Sequence, residues 1–302
     1  MFMTVPVRAI TWIVLLASAG SPAKAELPAP VRAMLDAAIA SGSEADIASV
    51  AKVAKVANPA DAKEIDAMVA SHRQAVKRAE LAHKREASTF EDWHGNGELG
   101  GSTTTGNTRS AGLSAGLTLT KTGIKWRHRV RATTDYQRND GATTRNQWMA
   151  SYEPNFQLRD SFYLFGLAMY EKDRFQGFSD RTTVSGGFGY RAVETDDLKI
   201  DIKGGPAWRG THWLDDPATN ELEGLAGTDL VWRLTSRIEI SDNAQAIWGA
   251  DNSTYSNTAA FTAKLNGSLS GRFSYAVRHE TNPPPGSVAT DTITRATLVY
   301  GF

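Results

Sequence analysis

The sequence contains no cysteine, which excludes both a disulfide scaffold and a metal site built from thiolates. It also has no net charge, because 33 basic residues balance 33 acidic ones. A nucleic-acid binder that works through bulk positive charge is therefore not expected. No apolar run reaches the roughly 20 residues that a membrane-spanning helix needs. A transmembrane β-barrel is not excluded, because only alternate residues of its strands face lipid and the average composition stays polar.

The first 25 residues have the three parts of a secretory signal. Arg8 provides the positive charge, residues 10–17 are apolar, and Ala23-Lys24-Ala25 fits a peptidase that accepts small side chains. We expect residues 1–25 to be a signal peptide that is cleaved after Ala25. The alternative is an N-terminal anchor helix, for which the apolar stretch is short.

Aromatic residues are absent between residue 26 and Phe90, where alanine, lysine and glutamate are frequent. Apolar residues recur there at spacings of three and four, which predicts amphipathic helices. The three predicted stripes run from Val31 to Ile39, from Ile47 to Ala57 and from Ile65 to Val76. Residues 26–90 are therefore predicted to be a short helical periplasmic segment. It is either a spacer or a module that touches peptidoglycan or a partner.

From Trp93 onward the apolar period changes from 3.6 to two. Between Ile124 and Tyr136, apolar residues alternate with charged or polar ones, and aromatic residues lie near both ends. A strand that crosses a membrane needs roughly 9–11 residues with this alternation and these aromatic ends. About 12 such segments follow one another, joined alternately by long loops and short turns, with residues 241–243 and 270–272 among the short turns. Residues 91–302 are predicted to form a closed antiparallel outer-membrane β-barrel.

The last predicted strand, Thr292 to Phe302, has one apolar face and ends in an aromatic residue. Such a strand suits a barrel whose last strand closes against the first. A soluble lipocalin-like barrel or sandwich is the alternative, but it would need polar residues at most of the outward positions.

The predicted location is the outer membrane of a Gram-negative bacterium, with both barrel termini and the helical segment in the periplasm. Expected partners are outer-membrane lipid, lipopolysaccharide and, through the C-terminal strand, the barrel assembly machinery. No nucleic-acid partner is expected, and the oligomeric state is left open.

Three stretches between Trp93 and Phe302 resemble the YdiY-like, salt-induced outer-membrane protein family, a domain of unknown function. They look like that family's strand–loop opening, its last outer loop and its closing strand. The positions that carry the resemblance are Gly106, Asn107, Thr108, Pro283, Pro284, Gly286, Tyr300 and Phe302. The resemblance implies an outer-membrane barrel and no particular reaction, and it does not extend to the helical segment.

Four basic residues follow the alternation of the clearest strand, which predicts that they point into the lumen. They are Lys125, Arg127, Arg129 and Arg131. In one interpretation they form a cationic ladder that selects anions or binds an anionic ligand. In the other, acidic neighbours neutralise them and the lumen is packed. The candidate neighbours are Asp135, Glu153, Asp201, Glu223 and Asp229.

The favoured function is a structural or envelope-stress role, osmotic or salt-related, with little or no transport. The alternative is a narrow diffusion channel for small anionic or polar solutes, and a barrel hydrolase is a third hypothesis. No enzyme activity is expected, because the barrel histidines lie in no recognisable nucleophile motif. Those histidines are His94, His128, His212 and His279. No cofactor, metal site or catalytic residue is predicted.

Overall fold

The computed structural model of the protein describes residues 27–88, 90–105, 110–139, 142–284 and 289–302. The predicted signal peptide lies outside these ranges, as do the motif residues Gly106, Asn107, Thr108 and Gly286. The described chain divides between His83 and Lys84 into two compact units. The first is helical and the second is a β-barrel.

The helical unit contains α1 (Ala29–Ala40), α2 (Glu44–Ala57), a short 3-10 turn (Pro59–Asp61) and α3 (Ala62–Glu86). Its core forms where the apolar stripes converge, around Leu35, Ile47 and Ile65. Ser43 is the N-cap of α2, and its hydroxyl accepts a hydrogen bond from the Asp46 N–H. Within the described residues, no helix is both long enough and apolar enough to span a membrane.

The barrel has twelve strands, and each pairs with the next in antiparallel fashion. They are β1 (Trp93–Thr105), β2 (Ser110–Thr122), β3 (Trp126–Asn139), β4 (Ala142–Gln157), β5 (Phe162–Asp173), β6 (Phe178–Glu194), β7 (Leu198–Trp213), β8 (Thr219–Arg233), β9 (Ile238–Trp248), β10 (Ser253–Lys264), β11 (Leu269–Glu280) and β12 (Thr290–Gly301). The predicted barrel of about 12 strands is confirmed.

The barrel closes where β12 pairs with β1. Leu298 lies opposite Leu99, and beyond the last strand residue Phe302 and Gly95 exchange backbone hydrogen bonds of 3.0 and 2.9 Å. The two backbones approach closely at Gly100, where a methyl group would lie 2.1 Å from the Ala296 carbonyl oxygen. Glycine is therefore required at this point of the closing seam.

Two turns predicted from the sequence are wrong. Residues 241–243 lie inside β9 and residues 270–272 inside β11, so the turns are at 234–237 and 265–268. Thr235 makes the first turn, because its hydroxyl accepts hydrogen bonds from the N–H groups of Arg237 and Ile238. The side chain of Asn266 does the same for Ser268 and Leu269. Such side-chain bonds to backbone stabilise turns, and the turn at 234–237 contains neither glycine nor proline.

The two faces of the barrel wall differ in polarity. Outward residues are largely apolar and exposed, as at Leu117, Phe188 and Phe273, whereas inward residues include buried charges such as Arg181 and Glu171. Aromatic residues lie outward near both ends of the strands, and examples are Trp126, Tyr152, Phe162, Tyr190, Trp232 and Tyr300 at one end and Tyr136, Trp148, Tyr170, Trp208, Trp248 and Tyr255 at the other. An exposed apolar wall around a charged interior is stable in lipid and not in water, so the barrel is of the outer-membrane type.

The connections define two ends of the barrel. The short-turn end carries residues 123–125, 158–161, 195–197, 234–237 and 265–268. The long-loop end carries, among the described connections, residues 174–177, 214–218 and 249–252. Strand β1 begins and β12 ends at the short-turn end.

Candidate functional site in the barrel lumen

The inner side of β3 carries three of the four residues predicted as a cationic ladder. Arg127, Arg129 and Arg131 occupy alternate inward positions and line the lumen, about 7 Å apart along the strand. Lys125 does not join them, because it lies in the turn that precedes β3. It is exposed there, with its Nζ 5.9 Å from the ring centroid of Phe156, an outward residue.

A charge network in the half of the lumen nearer the short-turn end, which we call the lower network, surrounds this ladder. Arg129 Nη1 lies 3.6 Å from Asp229 and 4.0 Å from Glu153. The same two carboxylates face Lys203, whose Nζ is 2.6 Å from Glu153 and 3.5 Å from Asp229. Each carboxylate is therefore shared between two cations, and the two cations and two carboxylates of this network balance in charge.

The two ends of the ladder are less well paired. Arg127 is 3.9 Å from Asp201, a carboxylate that also lies 3.8 Å from Arg191. Its buried Nε has no hydrogen-bond partner among the described residues. Arg131 makes no hydrogen bond or ion pair with any part of the chain that the structure describes. The ladder therefore presents guanidinium groups that can still accept an anion.

Two of the acidic residues proposed as neighbours of the ladder are paired elsewhere. Asp135 accepts two hydrogen bonds from Arg295, at 2.9 and 2.7 Å. Glu223 lies 3.2 Å from Arg209. Both pairs lie closer to the long-loop end, so they leave the charge of the ladder unchanged.

An upper charge network crosses the lumen nearer the long-loop end. Arg278 on β11 contacts Glu171 on β5 at 2.8 Å and Glu280 at 3.0 Å. Arg181 on β6 reaches the same Glu280 at 3.2 Å. All four side chains are largely buried, and a buried charge is tolerated only when it is paired. The sequence analysis missed this network, although alternation places each member on an inner face.

Apolar side chains fill another part of the lumen. Tyr163, Phe165 and Leu167 are inward residues of β5, and they pack with Leu225 of β8 and Ile247 of β9. This explains why the sequence of β5 is apolar on both faces. The cluster narrows the lumen on the side of β5 to β9.

A cavity of about 680 Å³ remains in the lumen. Its lining extends from Arg233 and Glu239 at the short-turn end to Gln176 and Asp291 at the long-loop end. All three ladder arginines line it, and basic residues outnumber acidic ones in the lining. The interior is therefore narrowed by side chains but not filled.

The mouth at the long-loop end is narrowed by the connection between β5 and β6. This connection forms a 3-10 turn, Arg174–Gln176, and the buried Gln176 donates a hydrogen bond of 3.4 Å to Asp291 on β12. Gly177 follows with a φ of 88°, a left-handed conformation suited to glycine. A methyl group there would lie 2.8 Å from Pro284, so this motif proline packs against the turn.

The other described motif residues lie at the surface of the barrel. Pro283 is half-buried in the connection before β12. Tyr300 and Phe302 are exposed on the outer wall beside the closing seam, with stacked rings 6.3 Å apart. They contribute to the lipid-facing aromatic end of the barrel and not to the lumen.

The barrel histidines do not form a hydrolytic site in the described part of the chain. His212 Nδ1 is 2.7 Å from Asp180, but the hydroxyl of Ser179 donates to that carboxylate and not to the ring. His128 and His279 point outward, beside Tyr152 and Thr290 respectively. Nucleophilic catalysis needs a hydroxyl that donates to a histidine, itself oriented by an acid. We find no such arrangement among these residues.

Residues 97–302 match the model of the family described as "Protein of unknown function, DUF481". The chain belongs to this family. The DUF481 match covers the barrel and leaves out the helical unit. The chain is also 24% identical over 216 residues to the uncharacterized protein YdiY of Escherichia coli strain K12, which spans 72% of this chain and 85% of YdiY. The YdiY-like resemblance seen in the sequence is thereby confirmed.

Two solved structures are similar to this DUF481 barrel at low sequence identity. The porin NanC, in a rhombohedral crystal form, is 10% identical with a TM-score of 0.49, over 68% of this chain and 98% of NanC. An outer membrane channel from Pseudomonas putida F1 is 8% identical with a TM-score of 0.45, over 72% of this chain and 100% of the channel.

Proposed function

We propose that this DUF481 barrel is a narrow diffusion channel in the outer membrane that favours small anions over cations. Arg131 follows the partly paired Arg129 on the inner face of β3, and its guanidinium lines the lumen cavity unpaired. This observation carries the proposal. Guanidinium groups bind carboxylates and phosphates through paired hydrogen bonds. An unpaired one in a polar lumen attracts such anions.

The arrangement of charge in the lumen supports selectivity for anions. Glu153 and Asp229 are each shared by Arg129 and Lys203, so neither carboxylate is free to attract a passing cation. The Nε of Arg272, on the opposite side of the lumen from β5, is also buried without a hydrogen-bond partner in the described chain. Fixed charges in a narrow, low-dielectric passage act more strongly than in bulk water.

The proposal places the short-turn end in the periplasm of a Gram-negative bacterium. Outer-membrane barrels have short periplasmic turns and longer external loops. Both barrel termini lie at that end, so the helical segment that precedes β1 is proposed to be periplasmic as well. Lipid and lipopolysaccharide then surround the wall, and β12 is the strand that the assembly machinery recognises.

A structural or envelope-stress role is the second candidate, and the upper charge network favours it. Arg278 joins β11 to β5 across the lumen, which braces the barrel and narrows its passage. A barrel that is braced in this way and conducts nothing would resist deformation under osmotic or salt stress. This role and the channel differ in whether ions pass.

Planar-bilayer recording of the refolded full chain separates the two candidates. We expect small single-channel currents, with a reversal potential in a KCl gradient that shows preference for chloride. Arg131→Glu should shift that potential toward cation preference, because it replaces the unpaired positive charge by a negative one. Lys172→Glu is the matched control, since it makes the same charge change on an exposed outward residue of β5. A barrel that inserts and conducts nothing would contradict the channel and favour the structural role.

A further inference from the structure

Asp242 is an unusual residue on the outer wall of the barrel. It lies on β9 between Ile240 and Ala244 in the outward series, and its partners across the sheet are the outward residues Leu230 and Ala259. Within the described strands, it is the only carboxylate that points outward between the two aromatic ends. Its position therefore puts a charged group against hydrocarbon.

The hydrogen bonds of Asp242 confirm that it points outward. The Nδ2 of Asn257, an outward residue of β10, lies 3.0 Å from each carboxylate oxygen. Asn257 is flanked across the sheet by the outward residues Ala244 and Val277. The two polar side chains thus form one patch on the lipid side of the wall, while the next residue, Asn243, binds Asp229 inside the lumen at 2.6 Å.

Small residues lie beside this polar pair on one side. They are the outward residues Ala226, Thr228, Ala244, Ala246 and Ala259, whereas its neighbours Leu230, Ile240 and Val277 are larger. Bulky aromatic residues enclose the area at both ends, with Trp232 and Phe261 toward the short turns and Trp248 and Tyr255 toward the long loops. We call this area, centred on Asp242 and Asn257, the β9 face. It combines short side chains with a carboxylate and an amide.

Lipid tails cannot satisfy the remaining polar atoms of this face. The second N–H of the Asn257 amide and its Oδ1 have no partner in the described chain, and a carboxylate accepts more bonds than the one donor provides. Polar groups at membrane depth are unfavourable unless they are paired, and they are normally found facing protein. The occupant must therefore offer both a donor and an acceptor at this depth, which a membrane-spanning protein surface can do.

A second copy of this chain meets that requirement. A two-fold axis parallel to the membrane normal keeps every residue at its own depth and brings the same surface of each copy together. The Asn257 amide of one copy then faces the Asp242 and Asn257 oxygens of the other, and the small residues allow close approach of the two walls. We propose that the protein is a homodimer in the membrane, joined through the β9 face.

The absence of cysteine makes the test specific, because an introduced thiol is the only one in the chain. Ala244→Cys puts a thiol in the middle of the β9 face, and Ala132→Cys puts one at an outward position of β3, directly opposite in the ring of twelve strands. Each full-length variant is refolded into phosphatidylcholine vesicles at a low protein-to-lipid ratio and treated with a flexible bis-maleimide. We expect dimers to form with Ala244→Cys and at least ten-fold less with Ala132→Cys.

A second substitution in the Ala244→Cys background tests the polar pair itself. Asp242→Leu should abolish cross-linking while the barrel still folds, since leucine is favourable on a lipid-facing wall. Folding is checked by the β-sheet circular dichroism of the same sample. Equal cross-linking of the two cysteine variants, no cross-linking of either, or cross-linking that survives Asp242→Leu in a folded barrel would each overturn the proposal. None of these outcomes depends on whether the lumen conducts.

Discussion

The helical unit and the barrel bury opposite kinds of residue. Leu35, Ile47 and Ile65 are buried in the helical unit, whereas Arg181 and Glu171 are buried in the barrel. The outer surfaces are inverted in the same way, since charged residues cover α3 and apolar ones cover the barrel wall. The surface of the helical unit thus suits water, and that of the barrel suits lipid. The difference follows from the period of the apolar residues, which is 3.6 in the helices and two in the strands.

The two interiors also differ in how far the contribution of one buried residue to stability depends on a particular neighbour. An apolar side chain contributes to a core in proportion to the area it buries, whatever its particular neighbour. A buried arginine contributes only with its carboxylate in place, because either charge alone is strongly unfavourable in a low-dielectric interior. The barrel interior should therefore be far less tolerant of single substitutions than its polar composition suggests.

The largest effect is expected from Arg278→Ala, which removes the cation shared by Glu171 and Glu280. The two carboxylates are left buried, with Arg181 alone beside Glu280, and breaking such a pair destabilises a protein by about 3–5 kcal/mol. The measurement is the temperature at which the refolded barrel loses its β-sheet circular dichroism and its folded mobility in gels.

Neutralising the whole cluster provides the control for this prediction. The quadruple variant Glu171→Gln, Arg181→Met, Arg278→Met, Glu280→Gln removes all four charges and should be more stable than Arg278→Ala alone, because no buried charge of the network is left uncompensated. If Arg278→Ala unfolds at the same temperature as the wild-type protein, the upper network does not brace the barrel. The contrast between the two interiors is then lost.

A smaller effect is expected at the outer surfaces, where two exposed apolar residues of similar size can be compared. Leu117 lies outward in the middle of β2, and Met34 is exposed on α1. Leu117→Arg should destabilise the barrel in lipid by about 2–4 kcal/mol, because a charge near the bilayer midplane is unfavourable. Met34→Arg should change the stability of the helical unit by no more than about 0.5 kcal/mol, as a surface substitution in water.

Chemical unfolding of the two variants measures both effects, with the barrel in lipid vesicles and the helical signal followed in the same full chain. Equal effects at the two positions would mean that the barrel wall does not face hydrocarbon. Leu117→Ala serves as the control for lost packing, since it shortens the side chain without adding charge.

The sequence predicted the inner and outer faces well, because the two-residue period of a strand assigns each side chain to one face. That period placed Arg127, Arg129 and Arg131 in the lumen. It could not pair them, because partners across a closed sheet depend on the stagger of strands far apart in sequence. Arg278 and Glu171 are 107 residues apart, and no local pattern connects them.

The wrong turns have a related cause. Asp242-Asn243 has the composition of a turn, yet each side chain is hydrogen-bonded to a neighbouring strand, one outside the barrel and one inside. The true turn at Thr235 depends on hydrogen bonds that its hydroxyl accepts from the backbone, which the residue type alone does not predict. A polar residue inside a lipid-facing strand therefore resembles a turn residue until its partner on the neighbouring strand is known. For this reason a sequence analysis misses a polar surface such as the β9 face.

The smallest effect is expected in the helical unit, where charges lie at the surface and not in the interior. Arg73 of α3 donates a hydrogen bond of 2.8 Å to Glu44 at the start of α2, and this bond lowers the pKa of the Glu44 carboxyl below its ordinary value of 4.5. A carboxyl with a lowered folded-state pKa stabilises the fold above its ordinary pKa, and the contribution is lost as the pH falls through the lowered value. Both side chains are exposed, so solvent screens the pair and the loss is slight.

This loss of stability can be measured in the full chain from the urea concentration at which half of the helical signal is lost. The midpoint at neutral pH is compared with midpoints at pH values below 4.5. The wild-type midpoint should fall slightly more than that of Glu44→Gln, because glutamine does not titrate. Both curves share every other titrating group, so their difference isolates Glu44. A parallel fall in the two proteins would show that the surface pair contributes nothing. The helical unit would then be held by its apolar core alone, while the barrel interior would still depend on its ion pairs.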